Sequence, residues 1–329
     1  MTSHWHGRRV LVTGAAGFIG SHLAERLVEA GAEVRCLIHY NSLGSAGWLD
    51  ASPLADQMEI VSGDIADRDS VVRAARDVEV LFHLASLIAI PYSYSAPDSY
   101  ARVNIGGALN VLQAARQLDV TRVVHTSTSE VYGTARTCPM DEGHPLQGQS
   151  PYSASKIGAD KMVEAFHLSF GLPVVTVRPF NTYGPRQSAR AVVPTIITQC
   201  LGDGVVRLGN LTPTRDLNFV RDTVEGFVLA GQSDAAVGHT VNLGTGRETS
   251  VRELVELIGR LCEVEPLIET EEQRQRVEGS EVERLLADAS LARRLLGWEP
   301  SLSLEEGLAA TIAWFRENLH RYRPGHYVV

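Results

Sequence analysis

The sequence predicts a doubly wound parallel α/β sheet with a smaller C-terminal α/β lobe. In the first half, short apolar runs alternate with helix-length stretches. A glycine-rich turn joins the first run to the first helix, and after Pro179 the alternation gives way to short pieces with turn signals. Val10–Val12 reads as the first strand, with a helix from about Ile19 to Glu29. Strands follow at Glu33–Ile38, Met58–Val61 and Val78–Leu84. A long helix spans about Pro97–Leu118, Arg122–Thr126 is the fifth strand, a second long helix spans Pro151–Phe170, and Val174–Val177 is the next strand. Helices return at Ser250–Cys262, Ser290–Leu296 and Ser303–Asn318. Ser250 and Ser303 are placed as N-caps, and Ser303 has Glu306 at capping-box spacing. Glu269–Arg276 reads as a solvated polar loop. The expected division is 1–180 for a dinucleotide-binding domain and 181–329 mainly for a substrate lobe, with a cleft between them.

With 329 residues, 44% hydrophobic and 21% charged, the chain is long enough to bury a core without staples and is neither disordered nor fibrous. Its net charge of −9 argues against nucleic acid as a partner. Cys36, Cys138, Cys200 and Cys262 have no metal-site or disulfide spacing, so they read as reduced thiols and no metal is expected. The start of the chain runs directly into a strand, and no apolar run reaches bilayer length. A cytoplasmic protein without membrane contact is expected.

The turn Thr13-Gly14-Ala15-Ala16-Gly17-Phe18-Ile19-Gly20 lies between the first strand and the first helix. Glycines there allow a tight turn, close approach of a pyrophosphate and close packing of helix on strand. The helix N-terminus adds unpaired N–H groups and partial positive charge. The Gly-x-x-Gly-x-x-Gly spacing departs from the commoner Gly-x-Gly-x-x-Gly. The second strand ends without an acidic residue, so NAD is expected with NADP left open. His39 and Asn41 are candidates for a ribose or a 2′-phosphate, and equally for plain loop residues. Asp64 is placed to approach an adenine, or to cap a helix.

Tyr152 and Lys156 lie four apart at the start of a helix, on one face. A lysine ammonium beside a phenol is expected to lower the phenol's pKa and make it a base for a hydroxyl. Ser127-Thr128-Ser129-Glu130-Val131-Tyr132-Gly133 follows the fifth strand, at the edge of a parallel sheet where ligands bind. His83 and His125, at or within apolar strands, read as core residues without a catalytic role.

These motifs resemble the extended short-chain dehydrogenase/reductase superfamily, in particular its nucleotide-sugar 4,6-dehydratases, over nearly the whole chain. The likeness includes the glycine turn, Gly63-Asp64, His83-Leu84-Ala85, Asn104, Thr128-Ser129-Glu130, Tyr152/Lys156, Arg178-Pro179-Phe180-Asn181, Tyr183-Gly184-Pro185, Arg215-Asp216 and Leu296-Gly297-Trp298. The segments 86–94 and 144–152 look most like the legionaminic-acid-pathway branch, which dehydrates an N-acetylglucosamine nucleotide. The resemblance implies a Rossmann-type fold, a tightly bound NAD(P) and a nucleotide-diphosphate sugar as substrate. Tyr152 would deprotonate the sugar 4-hydroxyl, with Thr128 bonded to that oxygen and Lys156 holding the phenolate and the cofactor ribose. Hydride would pass from C4 to the nicotinamide, Glu130 would remove the C5 proton, water would leave from C6, and the hydride would return to C6. Gly14, Gly17, Phe18, Ile19, Gly20, Asp64, Ile65, Leu84, Ala85 and Asn104 would line the cofactor. Ser86, Asn181, Arg190, Arg215 and Arg276 would meet the substrate, the arginines through planar forks suited to phosphate.

Ser129 departs from relatives with Asp there as the acid for the leaving hydroxyl, so that proton would come from Glu130 or water. Val277 stands where many relatives have Pro after the Arg. A 4-epimerase would need no base at C5. A glucuronate-nucleotide decarboxylase would need a cationic pocket, for which Arg186 and Arg190 are candidates. A non-enzymatic dinucleotide sensor would have no use for Thr128, Glu130, Tyr152 and Lys156 together. Apolar residues on more than one face of the helices near 98–117 and 151–170 point to a homodimer.

Overall fold

The structure is a computed structural model and describes residues 4–275 and 277–323. In the first half, β1 (Arg9–Thr13), α1 (Phe18–Glu29), β2 (Glu33–His39), β3 (Met58–Gly63), α2 (Arg68–Ala74) and β4 (Val80–His83) follow the expected alternation. Next come a short α3 (Ile90–Ser95) and α4 (Pro97–Tyr100), the latter passing through π-helical Ala101–Gly106 into α5 (Gly107–Gln117). The expected single helix over 97–118 is therefore wound in three segments. β5 (Arg122–Thr126), a 3₁₀ turn at Ser129–Tyr132, α6 (Pro151–Phe170) and β6 (Val174–Pro179) complete this part.

The second half contains β7 (Asn181–Tyr183), α7 (Val192–Cys200), β8 (Val205–Leu208), β9 (Thr214–Phe219), α8 (Val220–Gln232), β10 (Thr240–Leu243), β11 (Glu248–Ser250), α9 (Val251–Cys262), β12 (Leu267–Thr270), β13 (Arg284–Leu285), α10 (Ser290–Leu296) and α11 (Leu304–Asn318). Ser250 and Ser303 each cap their helix in a full capping box, with Glu253 and Glu306.

Seven strands form one parallel sheet in the order β10-β6-β5-β4-β1-β2-β3. This is the Rossmann arrangement, and its order reverses between β1 and β4. Along β1 the side chains alternate between two cores. Val10 and Val12 join the cluster under α1 and α8, whereas Leu11 joins the cluster under α2, α5 and α6. Burial on both faces explains why β1, β4 and β6 read as largely apolar runs, whereas the edge strand β3 is mostly exposed. The chain after residue 180 returns to this sheet, adding β10 at its edge and α8 against its face.

β9 pairs with β7, β11 and β13 in a smaller sheet, and β8 pairs with β12. The expected solvated loop at 269–276 is corrected in part: Leu267–Thr270 forms β12, and Arg274 is mostly buried against Glu271 at 2.6 Å. Arg276 lies outside the described residues. No helix among the described residues is long and apolar enough to cross a membrane.

Candidate active site

The glycine turn lies where the sheet order reverses. Gly14 takes φ +71, and a Cβ on it would stand 2.9 Å from the Cα and N of Ala85 in the turn after β4. A Cβ on Gly20 would run into the Gly14 carbonyl. Two crossover turns thus meet at a point where only bare backbone fits. Gly17 precedes α1 with no side-chain cap, which leaves the first-turn N–H groups at Phe18 and Ile19 without a capping side chain. Thr13 Oγ1 accepts the N–H groups of Leu84 and Ala85, both at 3.1 Å, and meets His83 Nδ1 at 3.1 Å. This fixes Leu84 and Ala85 beside the glycine turn, with Ser86 next along the same loop.

Around the rim, His39 lies 4.0 Å from the Asp64 carboxylate, both more than half exposed. Asp64 does not cap the next helix. Its Oδ1 accepts the Ala66 N–H at 2.8 Å, while Asp67 is the cap of α2. The Asn41 side chain is spent on its own loop, donating to the Ser45 carbonyl and accepting the Ser45 N–H. Ile65 is buried against Gly107, and its carbonyl accepts from Asn110.

Asn104, expected beside the cofactor, joins two segments of the site. It lies buried in the π-helical segment, accepting the Leu87 N–H at 2.8 Å and donating to the Leu87 carbonyl at 3.0 Å and Ser155 Oγ at 2.9 Å. With both amide hydrogens engaged, it ties the 84–89 loop to α6.

α6 opens with a Ser150–Ser153 capping box and Pro151 in its first turn, which fixes the register of Tyr152, Lys156 and Asp160 at four-residue spacing, all buried. Thr128 acts on the Tyr152 hydroxyl as a partner that lowers its pKa, and the Tyr100 ring meets the Tyr152 ring edge-on at 6.2 Å. Lys156 Nζ donates to the Thr126 carbonyl at 2.6 Å. Burial lowers the Lys156 pKa to about 8, with the Asp160 charge opposing. The expectation that lysine draws the Tyr152 phenol down does not hold in this chain alone. Burial pushes Tyr152 well above the usual phenol range and the Glu130 charge adds to this, while the Thr128 hydrogen bond pulls the other way.

Glu130 sits in the 3₁₀ turn, where Thr128 Oγ1 accepts its N–H at 3.3 Å. Its charge is felt at Tyr152, so Thr128, Glu130, Tyr152 and Lys156 form one constellation. Ser129 is buried.

The second-half residues divide. Asn181 on β7 carries a buried Oδ1 with no hydrogen-bond partner, which marks it as an acceptor in waiting. Arg190 is exposed, with Nε on Ser188 Oγ, and its charge is felt at Tyr100. Arg186 does not supply a cationic pocket. At φ +69 it forks onto Glu25 at 2.9 and 3.0 Å and reaches Ser21, pinning the 184–191 loop to α1. Arg215 pairs with Glu281 at 3.4 Å rather than with Asp216. Asp216, fully buried, accepts the N–H groups of Thr245, Gly246 and Ala287 and the Thr245 hydroxyl. A cavity of about 440 Å³ lies beside Glu281, lined also by Gly209, Asn210, Thr212, Arg252 and Gln275.

Sequence reasoning missed Asp160 and the role of Arg178. Asp160 Oδ2 accepts from Arg178 Nη2 at 2.9 Å and Ser127 Oγ at 2.6 Å, and its Oδ1 meets His125 Nε2 at 3.2 Å. The available signal was Asp160 itself, one turn beyond Lys156 on the buried face of α6.

Residues 11–311 match the family model described as GDP-mannose 4,6 dehydratase. A UDP-glucose 4-epimerase of Mycolicibacterium smegmatis is 38% identical over 314 residues, 94% of this chain and 98% of that protein. The solved epimerase Mth375 of Methanothermobacter thermautotrophicus superposes with a TM-score of 0.89 at 33% identity, covering 97% of this chain and 95% of that one. The dTDP-glucose 4,6-dehydratase DesIV of Streptomyces venezuelae, solved with NAD bound, gives a TM-score of 0.84 at 31% identity over 95% of this chain and 98% of that one. With glycine turn, Tyr/Lys helix and Thr-Ser-Glu turn in one fold, this chain belongs to the GDP-mannose 4,6-dehydratase family, among the nucleotide-sugar dehydratases and epimerases of the extended short-chain dehydrogenase/reductase superfamily.

Proposed function

We propose that the protein is a nucleotide-diphosphate-hexose 4,6-dehydratase that works with bound NAD. The observation that carries this reading is Glu130 in the turn that Thr128 caps, with a charge that raises the Tyr152 pKa. A 4-epimerase needs the tyrosine but no second base. The turn at Gly14–Gly20, which a Cβ would fill, fits a dinucleotide pyrophosphate, and DesIV was solved with NAD. NAD bound there supplies the acceptor and later the donor of a hydride. Tyr152 takes the proton of the sugar 4-hydroxyl while Thr128 bonds that oxygen, and Lys156 carries the cation that stabilises the phenolate. Glu130 then removes the proton at C5, made acidic by the neighbouring ketone, and hands a proton to the hydroxyl leaving C6. Ser129, a buried serine, is no acid for that step. Asn181 and Arg215 bind the substrate diphosphate.

The N-acetylglucosamine assignment rests on the resemblance of segments 86–94 and 144–152 alone. In the same reading, residues after 180 supply the sugar-binding lobe and the protein acts in the cytoplasm as a homodimer through α5 and α6, which sedimentation at micromolar concentration tests.

Mass spectrometry of products from UDP-, GDP- and dTDP-sugars tests the reaction. Loss of one water supports dehydration, loss of carbon dioxide means decarboxylation, and unchanged mass with inverted C4 means epimerisation. Glu130→Gln should still form reduced nicotinamide but lose about 10²–10⁴-fold in dehydration. Conversion at the wild-type rate would move the epimerase reading to first place.

A further inference from the structure

Glu130 is held by a turn of only four residues, and the C-terminal residue of that turn is Tyr132. The Tyr132 ring is fully buried, tilted against Phe180 at 6.3 Å and edge-on to His144 at 5.5 Å. A phenylalanine would satisfy that packing. The hydroxyl adds two bonds that no phenylalanine could make. It accepts from Arg178 Nη1 at 2.7 Å and donates to Asn242 Oδ1 on β10 at 2.8 Å. Arg178 lies over the ring at 4.7 Å, and its other nitrogens reach Asp160 Oδ2 at 2.9 Å and Ser127 Oγ at 3.3 Å. Asp160 is two turns beyond Tyr152 on the same helix face. A continuous run of buried bonds therefore links α6, which carries Tyr152 and Lys156, to the turn that carries Glu130.

We propose that Tyr132 is a positioning residue for the elimination step, its hydroxyl setting Glu130 relative to Tyr152 through the buried Arg178–Asp160 pair. The proposal rests on the dehydratase reading. A buried fork such as Arg178 holds both ends in a fixed geometry because its donors are coplanar and each of its three nitrogens makes a bond. Tyr152 receives its support from its own helix and from Thr128. Loss of the Tyr132 hydroxyl should loosen Glu130 and leave Tyr152 in place.

The test compares wild type, Tyr132→Phe and Glu130→Gln, each loaded with NAD. They are mixed with UDP-N-acetylglucosamine, GDP-N-acetylglucosamine or dTDP-glucose, whichever the wild type dehydrates. Reduced nicotinamide is followed by absorbance and product by mass spectrometry. Tyr132→Phe should reduce the cofactor at the wild-type rate, accumulate the reduced form and release product about 10–100-fold more slowly, the scale on which about 1 Å of misplacement acts. A purely structural tyrosine would slow both steps alike or neither, and either result overturns the proposal. If Glu130→Gln stalls while Tyr132→Phe does not, this inference alone fails. If Glu130→Gln does not stall, the dehydratase reading fails and takes the proposal with it. Should Tyr132→Phe not fold, Asn242→Ala removes the hydroxyl's acceptor and must show the same partition, or the proposal is overturned.

Discussion

Replacing Lys156 with Met is expected to make the protein inactive and more stable at once. The Lys156 ammonium is buried, with the Thr126 carbonyl at 2.6 Å as its bonded acceptor. Burial lowers its pKa from 10.5 to about 8. Each tenfold change in a protonation equilibrium is worth about 1.4 kcal/mol, so holding the charge at neutral pH costs the folded state about 3 kcal/mol. Met fills a similar volume and gives up one hydrogen bond worth about 1 kcal/mol, leaving a net gain of about 2 kcal/mol. The pH window follows from the direction of the shift. Below about pH 8 both folded and unfolded chains hold the proton and the penalty is complete. Between there and 10.5 the unfolded chain holds a proton that the folded chain has released, so wild-type stability rises with pH. The Met variant lacks this rise, and its advantage should vanish by about pH 10. Urea denaturation of both proteins at pH 7 and pH 10 measures the difference. A Met variant less stable than wild type at pH 7, or a gain of equal size at both pH values, would refute the reasoning.

Gly14→Ala should weaken NAD binding at least about tenfold, because the new methyl meets Ala85 backbone at 2.9 Å in a left-handed conformation; calorimetric titration with NAD measures this. Asp160→Asn should cost about 3–5 kcal/mol in urea denaturation, since Arg178 would keep a buried charge without its counter-ion. Against the push of burial, His125, Arg178 and Ser127 hold the Asp160 carboxyl well below the usual carboxylate range. Its stabilisation is present above about pH 4 and lost on further acidification, a slope the Asn variant should lack. Ser303→Ala should lower stability by about 1 kcal/mol through loss of the α11 capping box, read from the same denaturation curves.

The first half of the fold was legible because its central parallel strands are buried on both faces and its longer helices show one apolar face. Val10–Val12, Val123–Val124 and the glycine turn announce themselves without tertiary context. α7 did not, because Val-Val-Pro-Thr-Ile-Ile-Thr is β-branched and buried from Val193 to Cys200, so it has no polar face to set a period. α8, which carries Gly226 and Gly231, was not read from the sequence. A Cβ at Gly231 would stand 2.8 Å from the Trp5 ring and 2.9 Å from Phe82, so the glycine lets the helix lie close on β4. In the site, Tyr152 and Lys156 were legible from helix spacing and the Ser127–Gly133 segment from its place at a strand end, whereas the roles of Thr128 and Glu130 came from the family resemblance. The bonds of Asn104, Asp160 and Arg186 were not legible, because each is made to a partner elsewhere in the chain: Leu87 and Ser155, Arg178, and Glu25.

The last strand of the seven-stranded sheet, β10, comes from residues 240–243, more than sixty residues after its neighbour β6. During synthesis, β6 therefore leaves the ribosome with one edge bare, and every one of its residues is destined for burial. Such an edge is a template for another chain until α8 and β10 arrive to cover it. A fragment ended at residue 180 would keep the glycine turn and the Tyr152 helix yet present this edge permanently. It is expected to aggregate rather than to bind dinucleotide as a free-standing unit.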